Sequence, residues 1–590
     1  MHVFSVVNRF RSILSKQQMH QIIKIVVLMV IGGILEIFSV SLIVPFMNVV
    51  MEPEKTMNGD IASMVCDFLG IETSKGFLVL LAVVLAIIFL VKNIFFLVEY
   101  NVQYKFVYRN MLSMQEKLLS TLIHRPYEYF LKVNSGEIVR IINTDTPQAF
   151  VLLVSMLQLF TEFIVSGMII LTVFVIAPVI TLIMGVVLVI LVLLINAVLK
   201  PVLRRAGESM QESSAGMNKW LLQSVRGIKD IKVASKEGYF SCKFNAYGVD
   251  YVNALRKSNL YVIVPRFIIE AGSMCVIFVI IAVMIWNDTT LDVIIPILTA
   301  VAMAAMRLLP SMSRISQLLG LVSYNEPMLD KLIENLRSIS GKDEVDLGMD
   351  LGTCKTTDTD HHMSFDKDIH VSNLTYRYPE TDEPVLQDVD FIVKKGQSVG
   401  IDGASGSGKT TAVDLLLGIL EPEKGQVLVD GKDIQDDLSA FLNMIGYIPQ
   451  SIFMLDDTIR ANVAFGEDDV SDDEVWRALK DASLYDFVKE LPDGLDTEIG
   501  ERGIRLSGGQ NQRLGIARAL YRDPEILVFD EATSALDNDT EKAIMDSIEH
   551  LKGQKTMIII AHRLTTIENC DVVYQVESSR VSFEKESVGD

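Results

Sequence analysis

The sequence predicts a multidomain protein, an all-α membrane domain of six long helices followed by an α/β domain, and three observations carry that prediction. Half of the 590 residues are hydrophobic and the mean hydropathy is +0.35, an apolar excess that only lipid accommodates. Beyond Ile369, short β-branched runs alternate with helical patterns, as in a layered α/β fold. Basic residues are gathered into two of the loops between apolar stretches and are scarce in the others, which sets a topology.

A helix needs about 20 apolar residues to cross a bilayer. Six segments come close: Ile22 to Val49, Gly76 to Val98, Phe150 to Val175, Val179 to Leu199, Val262 to Trp286 and Leu291 to Met312. Lys105, Arg109, Lys117, Arg125, Lys132 and Arg140 lie between spans two and three, and Arg204, Arg205, Lys219, Arg226, Lys229, Lys232 and Lys236 between spans four and five. The other loops carry little beyond Lys55 and Lys75. The positive-inside bias therefore puts the long loops and both termini in the cytoplasm. Both loops keep a helical period, as in Leu118, Leu119, Leu122 and Ile123, so spans two to five are expected to run on into the cytoplasm and present short coupling segments there. No small-residue cleavage site follows the first apolar stretch, which reads as a retained membrane helix.

The expected domains are a membrane domain over 1–330, a linker over 331–368 and an α/β domain over 369–590. Ser338 to Asp366 is polar and aperiodic, and its His361-His362 pair reads as solvated linker. A formal charge of −21 argues against nucleic acid as a partner, since binding phosphate backbones takes a basic surface. Five scattered cysteines without a CxxC pair give neither a zinc site nor a disulfide framework.

Between the strand-like run Ser398-Val399-Gly400-Ile401 and a helical run opening at Thr411 stands the turn Gly403-Ala404-Ser405-Gly406-Ser407-Gly408-Lys409-Thr410. Strand, glycine-rich loop and helix together form a phosphate-binding loop, in which backbone N–H groups and the positive helix end face one concavity. Lys409 is expected to neutralise the β and γ phosphates of ATP, and the Thr410 hydroxyl to hold Mg2+. Ile526-Leu527-Val528-Phe529 is a buried strand that ends in Asp530 and Glu531. Asp530 is assigned to the metal and Glu531 to the attacking water. Either acid alone could merely cap a strand; both together behind a phosphate loop form a reaction centre.

Leu506-Ser507-Gly508-Gly509-Gln510 resembles the signature of the ATP-binding cassette (ABC) family, and the resemblance covers Ile369 to Val576. It implies an adenine-stacking role for Tyr378 and a γ-phosphate-sensing role, near the metal, for Gln450 in Tyr447-Ile448-Pro449-Gln450. It also implies a switch role for His562, a cross-linking loop at Thr497 to Gly503 and a dimer-contact loop at Ser534-Ala535-Leu536-Asp537. Alone, such a Tyr, Gln or His is ordinary packing; their order overrides that reading. In the family the signature of one subunit closes over ATP on another, so Ser507, Gly508, Gly509 and Gln510 join the loop residues and Thr411 in the nucleotide site. One copy of each motif and six spans imply a half-transporter working as a homodimer. Asn511 departs from the family pattern, which has a basic residue or Gln there; it is expected to alter a surface contact only.

A charge at mid-bilayer costs roughly 2.5 to 3.5 kcal/mol on insertion scales. Glu36, Lys92, Glu162, Arg266, Glu270, Arg307 and Arg314 fall in or near spans, and two readings stand. They pair internally, Arg266 with Glu270 one turn on being the obvious case, or Lys92, Arg266, Arg307 and Arg314 line a cavity for an anionic cargo. Ile34-Leu35-Glu36 through Met47, Pro265-Arg266 through Glu270, and Arg307-Leu308-Leu309-Pro310 resemble the exporter branch that flips lipid-linked oligosaccharides in the bacterial cytoplasmic membrane. That branch implies a pyrophosphate-bearing glycolipid as cargo and membrane lipid as a partner. Asp60 to Gly70 then reads as a helix on the outer membrane surface, or as a cap that only closes the bundle. The alternatives are a multidrug, lipid or peptide exporter and, from another class, a regulatory ATPase gating a channel.

Overall fold

A computed structural model describes residues 15–41, 73–286, 291–340, 363–530 and 551–586, apart from 134, 177, 380, 468, 561–566, 568 and 578, and adds 6, 9, 10 and 46. The chain divides into two units, Met1–Arg125 with Val133–Thr353, and Pro126–Lys132 with Cys354–Asp590.

The first unit is helical: α1 (Lys16–Ser41), α2 (Ser74–Ile123) and, after a short α3 (Tyr127–Lys132), α4 (Ser135–Arg140), α5 (Thr146–Ile176), α6 (Pro178–Arg226), α7 (Ile228–Val233), α8 (Glu237–Trp286) and α9 (Leu291–Ser340). Helices α2, α8 and α9 each have 50 residues, about 75 Å at 1.5 Å per residue, more than twice the thickness of a hydrocarbon core. The apolar period therefore runs straight from span to cytoplasmic stretch, and α9 carries on to Ser340 through the polar turn at its end. Five helices among the described residues are long and apolar enough to cross a membrane, and α9 supplies the sixth position in the order.

Packing follows small residues. A Cβ on Gly33 of α1 would meet Met168 of α5 at 2.5 Å, and one on Gly207 of α6 would meet the Tyr324 carbonyl of α9 at 2.7 Å. Those glycines let the helix backbones approach. Leu159, Leu203, Ile269 and Ile315 fill the centre, while Leu90, Leu97, Leu193 and Phe278 stay exposed on the outside, as on a lipid-facing surface.

The second unit is built from β1 (Asp368–Tyr376), β2 (Leu386–Lys394), β3 (Ser398–Gly403), α10 (Lys409–Leu416), β4 (Lys424–Val429), β5 (Lys432–Asp433), α11 (Leu438–Asn443), β6 (Ile445–Ile448), α12 (Ile459–Ala464), α13 (Asp472–Asp481), α14 (Tyr485–Glu490), α15 (Gly508–Tyr521), β7 (Ile526–Asp530), β8 (Thr556–Ile560), β9 (Val572–Glu577) and β10 (Arg580–Glu586). One sheet is antiparallel in the order β2-β1-β4-β5; the other runs β10-β9-β3-β8-β7-β6, with β6 to β9 and β3 parallel. β7 and β8 are buried at every position, as strands covered on both faces must be. Asp571 accepts from both the backbone N–H and the hydroxyl of Ser398, each at 2.8 Å, and so fixes the start of β3 beside β9.

The short helix α3 lies among the membrane helices in sequence but belongs to this second unit. Tyr376 of β1 donates its hydroxyl to Glu128 of α3 at 3.1 Å.

Asp430, just past β4, accepts from the N–H groups of Asp366, Lys367 and Asp368 at 2.6, 2.7 and 3.1 Å. Partial burial opposes ionisation, yet these three donors and Lys367 hold its carboxyl below the usual range. A depressed carboxylate stabilises the fold above its unfolded value near 3.9 and loses that contribution as pH falls through the folded value. Asp430→Asn is therefore expected to lower the melting temperature at pH 7, with the gap to wild type closing below about pH 4 in a thermal-unfolding series.

Candidate functional site

β3 ends at Gly403, and the chain turns into α10 through backbone conformations that a side chain disfavours: φ is +152° at Gly403, +81° at Gly406 and +106° at Gly408. At Gly403 a Cβ would strike the Val576 carbonyl at 2.4 Å, whereas at Gly406 it would meet nothing within 4 Å. The loop is thus pinned to the sheet at its base and open at its crown, where Ala404, Ser405 and Gly406 are exposed. Lys409 is 5% exposed and its ammonium donates to the carbonyls of Gly403 and Ala404 at 2.8 and 3.0 Å. Those carbonyls occupy the cation until a stronger acceptor arrives. Ser407 Oγ, in the same loop, is buried with no hydrogen-bond partner among the described residues.

Asp530, at the end of β7, is 4% exposed and accepts from the Tyr447 hydroxyl of β6 at 3.4 Å. Burial and the Asp530 charge push the Asp414 carboxyl of α10 up to about 6 and raise the Tyr447 phenol. Negative charge is concentrated at this point, next to exposed Thr410 and beyond the strand that leads to exposed Gln450. An all-oxygen set of hydroxyl, amide and carboxylate at a negative point fits Mg2+, and the open anion-binding loop fits a triphosphate.

Tyr378 shares its hydroxyl with Thr411 Oγ1 at 3.0 Å and stands edge-on to Tyr376, so its ring is fixed next to the phosphate loop helix. Thr411 is buried and acts through that hydrogen bond. Ser507 caps α15: its hydroxyl accepts from Gln510 N–H at 3.3 Å while the Gln510 side chain accepts from Ser507 N–H at 2.8 Å. Gln510 is committed to this capping box, leaving Gly508 and Gly509 to present free helix-start geometry. Glu531, His562, Ser534 to Asp537, His361-His362 and Asp60 to Gly70 lie outside the described residues.

Sequence reasoning missed two positions. Asn511 is half-buried and donates to the Gly503 carbonyl at 3.2 Å, clamping the Glu501–Gly503 turn to α15 rather than only altering a surface. Gly503, at φ +68°, leaves room for it, since a Cβ there would meet Asn511 Oδ1 at 2.3 Å. Arg518 donates to the carbonyls of Phe453 and Asn462 at 2.7 and 2.8 Å and to Asn462 Oδ1 at 3.1 Å. Burial brings its guanidinium down to about 10. Arg518 gave only the signal of a charged residue in an otherwise apolar stretch of helix, and Asn511 only that of a departure from the family pattern.

In the membrane unit a cavity of about 310 Å3 lies between α1, α2, α5 and α9. Lys92 faces Glu36 at 2.9 Å, both about 5% exposed or less, and Arg314 donates to Glu162 at 3.0 Å. Of the four cations expected at a cargo site, Lys92 and Arg314 are brought to one cavity, each with a carboxylate. Arg266 is exposed and off its wall, like Glu270, and the Arg307 side chain lies outside the described residues.

Residues 386–534 match the ABC transporter family and residues 13–308 its transmembrane region. The chain belongs to the ABC transporters. Over 234 residues it is 42% identical to an ATP-dependent lipid A-core flippase of Pasteurella multocida, covering 39% of each protein. Over 214 residues it is 40% identical to a putative multidrug export ATP-binding/permease protein of Staphylococcus aureus, covering 36% of this chain and 37% of that one. The matches thus span about two fifths of these curated relatives. A bacterial Atm1-family ABC exporter solved with ATP bound superposes at a TM-score of 0.69 with 22% identity, over 95% of this chain and 94% of that one, so the fold is that of an ABC exporter.

Lys409→Met leaves the loop without its cation, and ATP binding is expected to weaken at least ~100-fold, near 2.7 kcal/mol, in a titration with a fluorescent ATP analogue.

Proposed function

We propose that this ABC transporter hydrolyses ATP as a homodimer and moves an amphiphile across the bacterial cytoplasmic membrane, with a lipid-linked, pyrophosphate-bearing oligosaccharide as cargo. The observation that carries the ATPase reading is the glycine-turned loop after β3 with buried Lys409, set in one sheet with buried Asp530 at the end of β7. Lys409 exchanges its two carbonyl acceptors for phosphate oxygens, and the loop N–H groups from Ala404 to Thr410 hold the remaining charge. Tyr378 stacks on the base, positioned by Thr411. Thr410, Gln450 and Asp530 hold Mg2+, which neutralises charge on the phosphate oxygens. Glu531 polarises the attacking water and His562 contacts the γ-phosphate. The signature turn of one protomer, with Ser507, Gly508 and Gly509 at a helix start, closes over the triphosphate held by the other.

The cargo reading is supported by the membrane-half motifs around Glu36, Arg266 and Arg307 and by the flippase among the relatives. The multidrug reading draws on the Staphylococcus relative. Reconstitution in sealed proteoliposomes with a fluorescent lipid-linked oligosaccharide separates them. ATP-dependent loss of quencher-accessible label is expected; a response to drugs alone favours the second reading, and flux without hydrolysis favours the gating class.

Glu531→Gln is expected to keep ATP affinity within a few-fold while phosphate release falls by about 10²–10⁴, the usual worth of a general base. A normal turnover rate in that variant overturns the role given to Glu531.

A further inference from the structure

The membrane cavity has an unusual charge pattern for a site meant for an anion. Its four ionised lining residues form two pairs, Glu36 with Lys92 and Glu162 with Arg314, and sum to zero. Glu36, Lys92 and Glu162 are each more than nine-tenths buried, so their charges exist there only because each has a partner. A phosphate entering the cavity must compete with the Glu36 carboxylate 2.9 Å from buried Lys92, and at Arg314, whose side chain is 63% exposed, it meets a guanidinium whose charge Glu162 already offsets at 3.0 Å; a lone ammonium meets the mirror problem. A hydroxyl faces neither difficulty. It donates to a paired carboxylate and accepts from a paired ammonium or guanidinium at once, leaving both ion pairs closed.

The rest of the wall has the same character. Asn93 and Ser311 add neutral donors and acceptors, and Thr161 already carries a relay behind the wall, donating to Glu99 at 3.1 Å and accepting from Gln103 at 3.2 Å. Phe96 and Tyr100 bring aromatic faces, which suit the C–H side of a sugar ring, Tyr100 adds a hydroxyl, and buried Val165 and Ile169 complete the lining. The volume, about 310 Å3, is at the lower end of ligand pockets.

We infer that the cavity between α1, α2, α5 and α9 binds an uncharged, hydroxyl-rich group such as a sugar residue of the cargo, and not its phosphate. The inference rests on the proposed transport of a glycolipid and names which part of it this cavity holds.

Two amphiphiles with the same tail test it: n-dodecyl-β-D-maltoside and n-dodecyl phosphate, added below their micellar concentrations to the full-length protein in nanodiscs. Each preparation's ATPase is read against its own unstimulated rate. The maltoside is expected to half-stimulate wild type at a concentration at least ~10-fold lower than the phosphate. Tyr100→Phe with Ser311→Ala, a change of two oxygens in a shape-conserving pair, raises the maltoside value and leaves the phosphate value where it was. Glu36→Gln, which gives Lys92 an uncompensated charge, shifts the preference toward the phosphate. Equal or stronger stimulation of wild type by dodecyl phosphate overturns the inference, as does an unchanged maltoside response in the double variant. If the same purified protein moves lipid-linked oligosaccharide when reconstituted in proteoliposomes but its ATPase in nanodiscs ignores the head group, the sugar assignment alone falls. If it moves no amphiphile with ATP, the proposed function falls first.

Discussion

Burying a charge away from water costs several kcal/mol unless a partner is supplied, and both halves of this transporter are organised around that constraint. In the lipid-facing unit the charges are satisfied within the protein: Glu36 by Lys92 across α1 and α2, Glu162 by Arg314 across α5 and α9. These pairs tie four helices together where no hydrophobic force between helices operates, because lipid tails are as apolar as the side chains they would replace. The glycines at 32, 33 and 207 do the remaining work by letting backbones meet.

The nucleotide unit treats the same constraint in the opposite way. Lys409 is buried and, among the described residues, is held by carbonyls of its own loop, and Asp530 is buried amid a carboxyl and a phenol that its charge disturbs. One point presents positive charge and the other negative charge. A triphosphate with a divalent cation has charges of the signs that suit both. The loop glycines keep the crown of the loop open, since φ at Gly406 and Gly408 is accessible to few other residues.

How much of this was legible in the sequence depends on how far apart the interacting residues lie. The loop at 403–410, the strand ending in Asp530 and the capping sequence at Ser507 are local patterns, and local patterns encode their own geometry. Helix length was legible for spans two, four and five, where the apolar period carries on past the span, but not for the last helix, which runs to Ser340 through residues read as linker. The ion pairs were not. Arg266 and Glu270, four residues apart, satisfy the helical spacing rule and were the natural pair to name, yet both are exposed, while Glu162 finds Arg314 at a separation of 152 residues. Spacing rules see one helix at a time. Asn511 escaped for the same reason: its partner is a carbonyl in a different turn, and its value depends on Gly503 having no side chain. The allegiance of Tyr127–Lys132 to the nucleotide unit depends likewise on a hydrogen bond to Tyr376, 248 residues on.

Buried hydrogen bonds also join the motifs of the nucleotide unit to one another. Asn462 is fully buried and every polar atom of its amide is used: Oδ1 accepts from Leu455 N–H at 2.8 Å and from Arg518, and Nδ2 donates to the carbonyls of Leu455 and Thr458 at 3.1 and 2.9 Å. Arg518 completes the knot on Phe453 and lays its guanidinium over the Phe465 ring at 4.3 Å. The segment just after Gln450, helix α12 and the signature helix α15 are thus joined by charge-assisted and buried hydrogen bonds, whose rupture leaves desolvated groups behind. Moving residues 453–455 independently of α15 breaks several such bonds at once. Moving them together breaks none. The segment that follows Gln450 and the helix that Ser507 caps are therefore coupled, because parting them leaves those groups unpaired.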